Sequence, residues 1–487
     1  MSKKAIIIGS GIAGLAASIR LAIKGYTVDI YEANSYPGGK LSEIRLDGFR
    51  FDAGPSLFTL PEEVDDLFRL AGKKPKDYFK YEKLAVTCQY FWEDGTAVKA
   101  YSDLYRFANE IQDKLGQPAH AIHKALEDSA FIYDRLAPLF MHRSLHNWNT
   151  WTNPQALKSY LRLGKLGIFS TMDQANQRRF IHPKVVQLFN RYATYNGSNP
   201  YETPATLNII PHLEFNIGAY FPKNGMHDIT QSLFTLSKEL GVHYHFGQKV
   251  TKVLVENRKA IGIEVHGKSV LSDLIVNNMD METAYKTILN HQKQPKLLLS
   301  QPKSSSALIF YWGINRIFPE LDLHNIFFSG NYPLEFEHIF KRGNIYTDPT
   351  IYLNITSTYC PDDAPDGCMN WFTMINVPNN QGQDWDKLTS EARKNIIHKL
   401  NRHLKTDLEA LITVEEILDP RTIESKTSSA QGALYGNSSN NKFAAFLRHA
   451  NYSSSIKNLF FCGGSVHPGG GIPLCLLSAK IMSEMVE

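Results

Sequence analysis

Two glycine-rich stretches near opposite ends of the chain have residue types and spacing that could hold a phosphate-bearing ligand. The first is Gly9-Ser-Gly11-Ile-Ala-Gly14, a G-x-G-x-x-G pattern. In this pattern the first glycine allows a tight turn, the second lets a pyrophosphate approach the backbone, and the third lets a helix pack on a strand. The N–H groups at the start of a following helix also favour an anion. This stretch therefore indicates dinucleotide binding.

The second stretch, residues 463–473, contains five glycines, two prolines and one histidine. It lies between an apolar run at 458–462 and a helical pattern at 474–486. Clustered glycines let a backbone approach a ligand, and the following helix points its free N–H groups at the same place. We expect a ligand-binding loop here. His467 is expected to organise this backbone or to pack, because only pKa and geometry would make it a base.

The elements around the first stretch form a predicted strand–helix–strand unit. Residues 5–8 are a short apolar strand, residues 15–24 have a helical pattern, and residues 27–31 are a second strand. Glu32 ends this second strand, eighteen residues after Gly14. A carboxylate in that position accepts hydrogen bonds from a ribose diol and repels a 2′-phosphate. The unit therefore favours FAD or NAD over NADP.

Two further glycine-bearing turns distinguish an FAD site from an NAD site. Residues 37–40 read Pro-Gly-Gly-Lys, and residues 48–56 read Gly-Phe-Arg-Phe-Asp-Ala-Gly-Pro-Ser. Each turn alone could be an ordinary loop. A nicotinamide dehydrogenase, however, would normally continue into its next strand–helix unit at this point. The succession of glycine-bearing turns after Glu32 therefore favours FAD.

Together these motifs resemble the FAD fingerprint of the amine-oxidase-like flavoproteins, in their phytoene-desaturase branch. The resemblance implies that the loop at 463–473 lies along the ribityl chain and the isoalloxazine ring, so that the two chain ends hold opposite ends of one FAD. The FAD contacts expected from the motifs and the resemblance are Gly9, Gly11, Ile12, Ala13, Gly14, Glu32, Lys40, Gly54, Pro55, Ser56, Leu57, Val250, Asn278, Leu434, Gly464, Gly471 and Ile472.

The middle of the chain is predicted to return to the nucleotide. A helical run at 229–240 is followed by alternating strands and by a buried strand at 273–278. In the resembled family, the position of Val250 packs at the adenine through its backbone, and that of Asn278 lies near the same nucleotide. The turn at 432–436 resembles one that lines the flavin, which is why Leu434 is included.

The stretch at 191–205, which begins Arg-Tyr-Ala-Thr-Tyr, most resembles the hydroxycarotenoid 3,4-desaturases of this branch. The resemblance covers nearly the whole chain and implies an α/β fold. It would comprise a Rossmann-like FAD-binding domain of the amine-oxidase/glutathione-reductase type, a mixed-sheet substrate domain and a helical membrane-facing subdomain. One departure is Gly-Ser-Val-His-Pro in the C-terminal loop, where many relatives carry Gly-Thr-His-Pro, which leaves the contacts of Ser465 and Val466 open.

The domain boundaries expected from this resemblance make the FAD-binding domain discontinuous. It would consist of residues 1–80, 221–285 and 425–487. Residues 81–220 would form the helical, membrane-associated part of the substrate region, and residues 286–424 the substrate domain. A chain of 487 residues is long enough for two or three such domains.

The implied reaction is the introduction of a C-3,4 double bond into 1-hydroxylated acyclic or monocyclic carotenoids. A hydride would pass to FAD and a proton would leave the neighbouring carbon. The polyene already delocalises the developing charge, so no catalytic side chain is assigned. Electrons would pass on to a quinone or to oxygen.

Other activities remain open. A phytoene desaturase that forms lycopene, or a carotenoid isomerase, belongs to the same family, and an amine or porphyrinogen oxidase is a more distant alternative. A carotenoid carrier without enzymatic activity would have no use for Glu32 together with the C-terminal glycine loop.

Net charge and cysteine content limit which partners and which cellular compartment are expected. The net charge of +4 is too small to indicate a nucleic-acid partner. Five cysteines, without a C-x-x-C pattern, indicate reduced thiols in the cytoplasm. Basic residues with apolar residues 5–19 superficially resemble a signal peptide, but the nucleotide motif explains them better. No other uncharged run offers the ~20 residues of a transmembrane helix, so any membrane contact should be from one side.

Residues 135–172 carry basic and tryptophan residues but no Asp or Glu. The segment predicts a monotopic contact with an anionic bilayer, at the inner face of the membrane, although a solvated helix face would have the same pattern. Its basic and tryptophan residues are Arg135, Arg143, Trp148, Trp151, Lys158, Arg162 and Lys165.

Two histidine pairs could each share one face of an element. His142 and His146 are four residues apart, and His243 and His245 are two apart. Neither pair has a third ligand at metal-site spacing, so no metal is expected.

Overall fold

A computed structural model gives the fold of residues 2–147, 150–152, 167–441 and 447–487. The strands in these ranges are β1 (Lys4–Ile8), β2 (Thr27–Tyr31), β3 (Glu43–Leu46), β4 (Phe49–Asp52), β5 (Tyr81–Lys83), β6 (Val86–Phe91), β7 (Ala97–Tyr101), β8 (Tyr220–Pro222), β9 (His243–His245), β10 (Val250–Glu256), β11 (Lys259–Val265), β12 (Lys268–Leu271), β13 (Leu274–Asn277), β14 (Ser306–Ile314), β15 (His324–Phe327), β16 (Ile351–Asn354), β17 (Met369–Val377), β18 (Ile412–Leu418) and β19 (Leu459–Phe461).

The α-helices in the same ranges connect and cover these strands. They are Ile12–Ile23, Glu62–Leu70, Leu104–Leu115, Ala119–Phe140, Met172–Arg179, Pro183–Asn190, His227–Glu239, Met281–Lys286, Lys296–Leu299, Tyr332–Glu337, Trp385–Leu404, Pro420–Thr427 and Ile472–Glu484. Within the described ranges, no helix combines the length and the apolar character needed to cross a bilayer.

A five-stranded parallel sheet holds both ends of the chain. Its order is β19-β13-β1-β2-β9, so β1 lies at the centre. The predicted strand–helix–strand unit is present, but its helix begins at Ile12 rather than at Leu15. The helix therefore starts inside the glycine motif. It packs against helix His227–Glu239 and the C-terminal helix Ile472–Glu484, so segments distant in sequence share this layer.

A seven-stranded mixed sheet has the order β18-β14-β17-β16-β15-β6-β7. Residues 81–220 were expected to be helical, but their first part forms β5, β6 and β7. β6 pairs in parallel with β15, in a register that places Gln89 opposite Asn325. The residue pattern of a strand does not show which distant strand will pair with it. The remainder of 81–220 does contain helices, including Leu104–Leu115 and Ala119–Phe140.

A buried charged network joins the two large sheets. The carboxylate of Asp52, at the end of β4, accepts hydrogen bonds from the backbone N–H groups of Met226 and His227 at 2.8 and 2.9 Å. Arg50 donates to Asp52 at 2.7 Å and pairs with Asp363 at 3.2 Å. Because Asp363 lies in the turn that precedes β17, this network fixes the loop after β4 against both the helix His227–Glu239 and the seven-stranded sheet.

All five cysteines are free thiols in the structure, as the sequence predicted. Burial raises the pKa of the Cys88 thiol to about 12. This thiol therefore stays protonated at neutral pH, as expected of a packing residue.

The substitution Gly14→Ala tests the central helix–strand contact. A Cβ atom at this position would overlap the carbonyl oxygen of Gly9, so we expect a loss of about 1–3 kcal/mol in stability and a lower Tm of the apoprotein. Gly330→Ala is the control, because its Cβ would lie 3.4 Å from the Asp348 carboxylate, an ordinary contact. Equal Tm values for the two variants would contradict the packing role of Gly14.

Candidate functional site

A cavity of about 1210 Å³ lies at the carboxyl ends of the parallel strands and extends to the seven-stranded sheet. Both glycine-rich stretches contribute to its wall. Of the residues expected to contact FAD, those that line the cavity are Gly9, Gly11, Ile12, Ala13, Glu32, Lys40, Gly54, Pro55, Ser56, Leu57, Val250, Asn278, Leu434, Gly464, Gly471 and Ile472. Gly14 does not line it.

Gly14 instead lies in the first turn of helix Ile12–Ile23, packed against Gly9 and Asn278. The Asn278 side-chain amide donates to the carbonyl oxygen of Gly9 at 3.2 Å. Gly14 thus has the packing role predicted for the third glycine of the motif. The tight contact brings the start of the helix to the cavity, where its first N–H groups have no partner within the helix.

Glu32 is buried, and its carboxylate organises the turn beside it. One oxygen accepts from the backbone N–H and the hydroxyl of Ser10, at 2.8 and 2.9 Å. The other accepts from the backbone N–H and the side-chain amide of Asn34, at 2.8 and 3.0 Å. The sequence predicted this carboxylate but not its two protein partners. A ribose diol would therefore share an acceptor that is already fixed in place.

Lys40 ties the N-terminal motifs to the turn at 432–436. Its ammonium group donates to the carbonyl oxygens of Ala433 and Leu434, at 3.2 and 2.9 Å. Burial lowers the pKa of Lys40, and Asp280 offsets part of this effect. The contact accounts for the position of Leu434 in the cavity wall.

Arg448 holds the C-terminal glycine loop and was not identified from the sequence. Its guanidinium group donates to the carbonyl oxygens of Tyr435 and Gly464, both at 3.3 Å. Burial lowers the pKa of Arg448 to about 10. Its partners are backbone carbonyls in two separate segments, so no motif around Arg448 could have shown this role.

His467 packs and organises the loop, as its position in the sequence suggested. It is 1% exposed, and its Nε2 donates to the carbonyl oxygen of Arg143 at 2.7 Å. The Asn451 amide donates to the backbone carbonyl of His467 at 2.9 Å. Burial lowers the pKa of His467 to about 4, so the imidazole is neutral at pH 7 and its proton is engaged by the backbone.

A polar chain on the far wall of the cavity was also missed. The Tyr352 hydroxyl lies 2.6 Å from the Ser56 hydroxyl and 2.7 Å from Nδ1 of His324. All three residues line the cavity. They come from the loop after β4 and from strands β16 and β15, so their proximity could not be inferred from spacing in the sequence.

A second polar group, centred on Arg191, lies on the same wall. Its guanidinium group donates to the hydroxyls of Tyr90 and Tyr195, both at 3.0 Å. Tyr195 in turn donates to Glu214 at 2.5 Å. Arg191 opens the stretch at 191–205 that carried the family resemblance, but its chemistry there had not been assigned.

The two histidine pairs are placed differently from metal ligands. His245 bonds to Asp29 at 2.8 Å and stacks on Tyr31 with ring centroids 4.4 Å apart. His146 lies edge-on to His467, with centroids 6.0 Å apart. Among the described residues, no group of three or more His, Cys, Asp or Glu side chains is arranged to hold a metal ion.

Four of the seven basic and tryptophan residues of the predicted membrane segment lie outside the described residues. This applies to Trp148, Lys158, Arg162 and Lys165. Trp151 is described, and it lines the cavity.

Replacing the carboxylate in Glu32→Gln should weaken FAD binding. The amide removes the charged acceptor and mismatches the donors of Ser10 and Asn34, so we expect a roughly 10- to 100-fold higher Kd for FAD. Titration of the apoprotein with FAD, followed by flavin fluorescence, measures this change. Glu82→Gln, at an exposed carboxylate on β5, is the control. An unchanged Kd in the Glu32 variant would contradict a ribose contact at this residue.

The buried imidazole of His467 should make stability depend on pH. Its pKa falls from 6.5 to about 4 on folding, so the unfolded chain binds more protons in this range. Stability is then complete above pH 6.5 and decreases as the pH falls towards 4, by ~3 kcal/mol at pH 4 for this one group. His467→Gln can keep the bond to Arg143 and should flatten the dependence of Tm on pH.

The control for this titration is His398→Gln, at an exposed position on helix Trp385–Leu404. This variant should keep the wild-type dependence of Tm on pH. A wild-type slope in the His467 variant would contradict a neutral buried imidazole.

Comparisons with known proteins agree with this geometry. The family model described as flavin containing amine oxidoreductase matches residues 12–486. A 1-hydroxycarotenoid 3,4-desaturase from Flavobacterium sp. (strain P99-3) is 52% identical over 99% of both chains. A 4,4′-diapolycopene oxygenase from Methylomonas sp. is 32% identical over 100% of this chain and 98% of the relative.

Solved structures show the same fold at low identity. Wild-type putrescine oxidase bound to putrescine has a TM-score of 0.63 and 13% identity, over 99% of this chain and 98% of that one. An oxidoreductase from Methanosarcina mazei has a TM-score of 0.61 and 15% identity, over 99% and 100%. The predicted α/β flavoprotein fold, FAD as cofactor, the oxidoreductase class and the resemblance to hydroxycarotenoid 3,4-desaturases are confirmed. The chain belongs to the flavin-containing amine oxidoreductase family.

Proposed function

We propose that this protein is an FAD-dependent desaturase that introduces the C-3,4 double bond into 1-hydroxylated acyclic or monocyclic carotenoids. The observation that carries the proposal is 52% identity, over 99% of both chains, to a protein of that name. A second support is the cavity itself, which continues from the FAD motifs into an apolar region on the seven-stranded sheet.

The residues in the cavity wall fit FAD. The start of helix Ile12–Ile23 suits the pyrophosphate, and Glu32 suits the ribose. Val250, which also lines the cavity, would lie at the adenine. The isoalloxazine ring would then lie between the loops at 54–57 and 464–472, where glycines let the backbone approach closely.

The chain's own part in the reaction is to orient the substrate and to exclude water. Bound FAD would supply the hydride acceptor for one substrate carbon, and loss of a proton from the neighbouring carbon would complete the removal of two electrons and two hydrogens from the carotenoid. Apolar side chains in the wall, among them Ile309, Phe372 and Leu213, provide a dry surface for the polyene. The low pKa of His467 and its bond to Arg143 argue against this residue as the base.

The FAD-binding part comprises residues 1–80, 221–285 and 425–487 in this proposal. The substrate part comprises 286–424, and strands β6 and β7 from 81–220 join its sheet.

We also propose a cytoplasmic protein that associates peripherally with the inner face of the membrane through residues 135–172. The cavity wall includes Phe140, Trp151 and Ile168 from this segment, which would let an apolar substrate pass from lipid. Phe169 in this segment is 80% exposed, and Ile181, beyond the helix that follows it, is 84% exposed. Exposed apolar side chains of this size suit a lipid surface. The reduced flavin would pass its electrons to a quinone or to oxygen.

An anaerobic reaction tests the proposed activity. FAD-loaded protein is incubated with a 1-hydroxylated acyclic carotenoid in liposomes, and flavin absorbance and pigment mass are followed. We expect the oxidised flavin band to bleach as the pigment loses two hydrogens. An oxidised flavin with unchanged pigment mass would contradict the proposal, and a changed isomer without mass loss would indicate an isomerase.

A further inference from the structure

The Ser56–Tyr352–His324 chain stands at the junction of the two halves of the cavity. Ser56 belongs to the loop at 54–57, on the flavin side, whereas His324 and Tyr352 lie on neighbouring strands of the substrate sheet. The three side chains form a continuous run of hydrogen bonds at 2.6 and 2.7 Å. A polar feature of the substrate sheet therefore begins directly beside the expected flavin ring.

Hydrogen bonding from Asn354 fixes the roles of the atoms in this chain. The Asn354 amide nitrogen donates to the carbonyl oxygen of Leu323 at 3.0 Å, which identifies it as the NH₂ group. The same nitrogen lies 3.2 Å from Nδ1 of His324. An amide NH₂ group can only donate, so Nδ1 of His324 is an acceptor.

The Tyr352 hydroxyl then donates to the same lone pair of His324 Nδ1, and at 2.7 Å it is the shorter of the two contacts that share this acceptor. Burial lowers the pKa of His324 to about 3, so the ring is neutral. With Nδ1 as the acceptor, its single proton is on Nε2, which has no hydrogen-bond partner among the described residues. Burial also raises the pKa of Tyr352 well above its usual value, so its hydroxyl stays protonated. With that proton committed to His324, the Tyr352 oxygen offers lone pairs, one to the Ser56 hydroxyl and one to the cavity.

Other residues of this part of the cavity wall are apolar and cannot donate a hydrogen bond to the Tyr352 oxygen. Tyr352 packs edge-on against Phe372, with ring centroids 6.1 Å apart, and Ile309 and Met374 line the same part of the cavity. A purely apolar polyene end would leave the Tyr352 lone pair without a donor. The hydroxyl already makes two hydrogen bonds, with Ser56 and His324, so the open lone pair is additional acceptor capacity that a substrate hydroxyl can use.

We propose that the Tyr352 oxygen, held by His324 and Ser56, accepts a hydrogen bond from the terminal hydroxyl of the carotenoid and so selects hydroxylated substrates and places their C-3,4 bond at the flavin. This inference rests on the proposed function. Tyr352 touches the substrate as a specificity-determining residue, and His324 and Ser56 are positioning residues.

The length of the substrate end agrees with this placement. Four bonds separate the hydroxyl oxygen from C-4, which spans roughly 5 Å in an extended chain. Tyr352 is hydrogen-bonded to the loop at 54–57, on the flavin side. A hydroxyl held there therefore suits a reacting bond, C-3,4, that lies so close to the hydroxyl oxygen. It would not suit a bond in the middle of the polyene.

The Arg191 group is a weaker candidate for this role. The Tyr195 hydroxyl accepts from Arg191 and gives its proton to Glu214. The Tyr192 hydroxyl also donates to Glu214, at 3.1 Å. Both tyrosine hydroxyls are thus committed as donors to Glu214. The Nε of Arg191 has no hydrogen-bond partner among the described residues, but it can only donate, so it would not distinguish a hydroxyl from its methyl ether.

The test compares three substrates with the FAD-loaded enzyme: a 1-hydroxylated carotenoid, its methyl ether and the analogue without oxygen. The ether has an oxygen but no proton to donate. Wild-type enzyme should therefore have a kcat/KM about tenfold or more higher for the hydroxyl substrate than for either of the other two. Tyr352→Phe should remove this preference by lowering kcat/KM for the hydroxyl substrate alone.

A matched control is Tyr311→Phe. Tyr311 also packs on Phe372, with centroids 5.5 Å apart, but it is fully buried and its hydroxyl has no hydrogen-bond partner among the described residues. This variant should keep the wild-type preference. Bound FAD is measured in every variant, so that a change in substrate preference is separated from a loss of cofactor.

The outcomes distinguish this inference from the proposed function. No flavin bleaching of the wild type by the hydroxyl substrate would overturn both. Flavin bleaching by the wild type with equal kcat/KM for the hydroxyl substrate and its methyl ether would overturn only the role of Tyr352. This comparison uses the wild-type enzyme alone. A preference that persists in FAD-loaded Tyr352→Phe would overturn it as well.

Discussion

The close packing of backbone at the carboxyl end of β1 is the constraint on which the rest of the site depends. Gly14 leaves no room for a side chain against Gly9, and Asn278 closes the same contact from β13. Asn278 also donates its backbone N–H to Ile8 at 2.9 Å. Gly463, which follows β19, has a φ of +113°, and a Cβ there would lie 2.9 Å from the Asn278 side chain. The glycine motifs near both ends of the chain thus contact the side chain of one residue, Asn278.

The seven-stranded sheet is attached to this centre by charged contacts as well as by packing. Asp52 caps the start of helix His227–Glu239 and binds Arg50, which reaches Asp363. Lys40 adds a second charged contact, because its ammonium group donates to the backbone carbonyl of Leu434. Buried charges of this kind are costly unless they are fully paired. Their arrangement fixes the orientation of the seven-stranded sheet relative to the glycine motifs.

Much of the candidate cofactor site could be predicted from the sequence, because short motifs supply the residues that line this part of the cavity. The glycine spacing at 9–14, the position of Glu32 and the loop at 463–473 each carry their chemistry within a few residues. The partner of β6, the carbonyl contacts of Arg448 and the bond between Ser56 and Tyr352 could not be predicted. Each of these depends on segments that are far apart in the chain and are brought together only by the complete fold.

The most direct test of the central claim is a crystal structure of the complex with FAD and a 1-hydroxylated carotenoid. The account predicts that the isoalloxazine ring lies between the loops at 54–57 and 464–472. It also predicts that the carotenoid hydroxyl lies within hydrogen-bond distance of the Tyr352 oxygen, with C-3 and C-4 over the ring. A ring outside these loops, or a carotenoid hydroxyl remote from the flavin, would contradict the account.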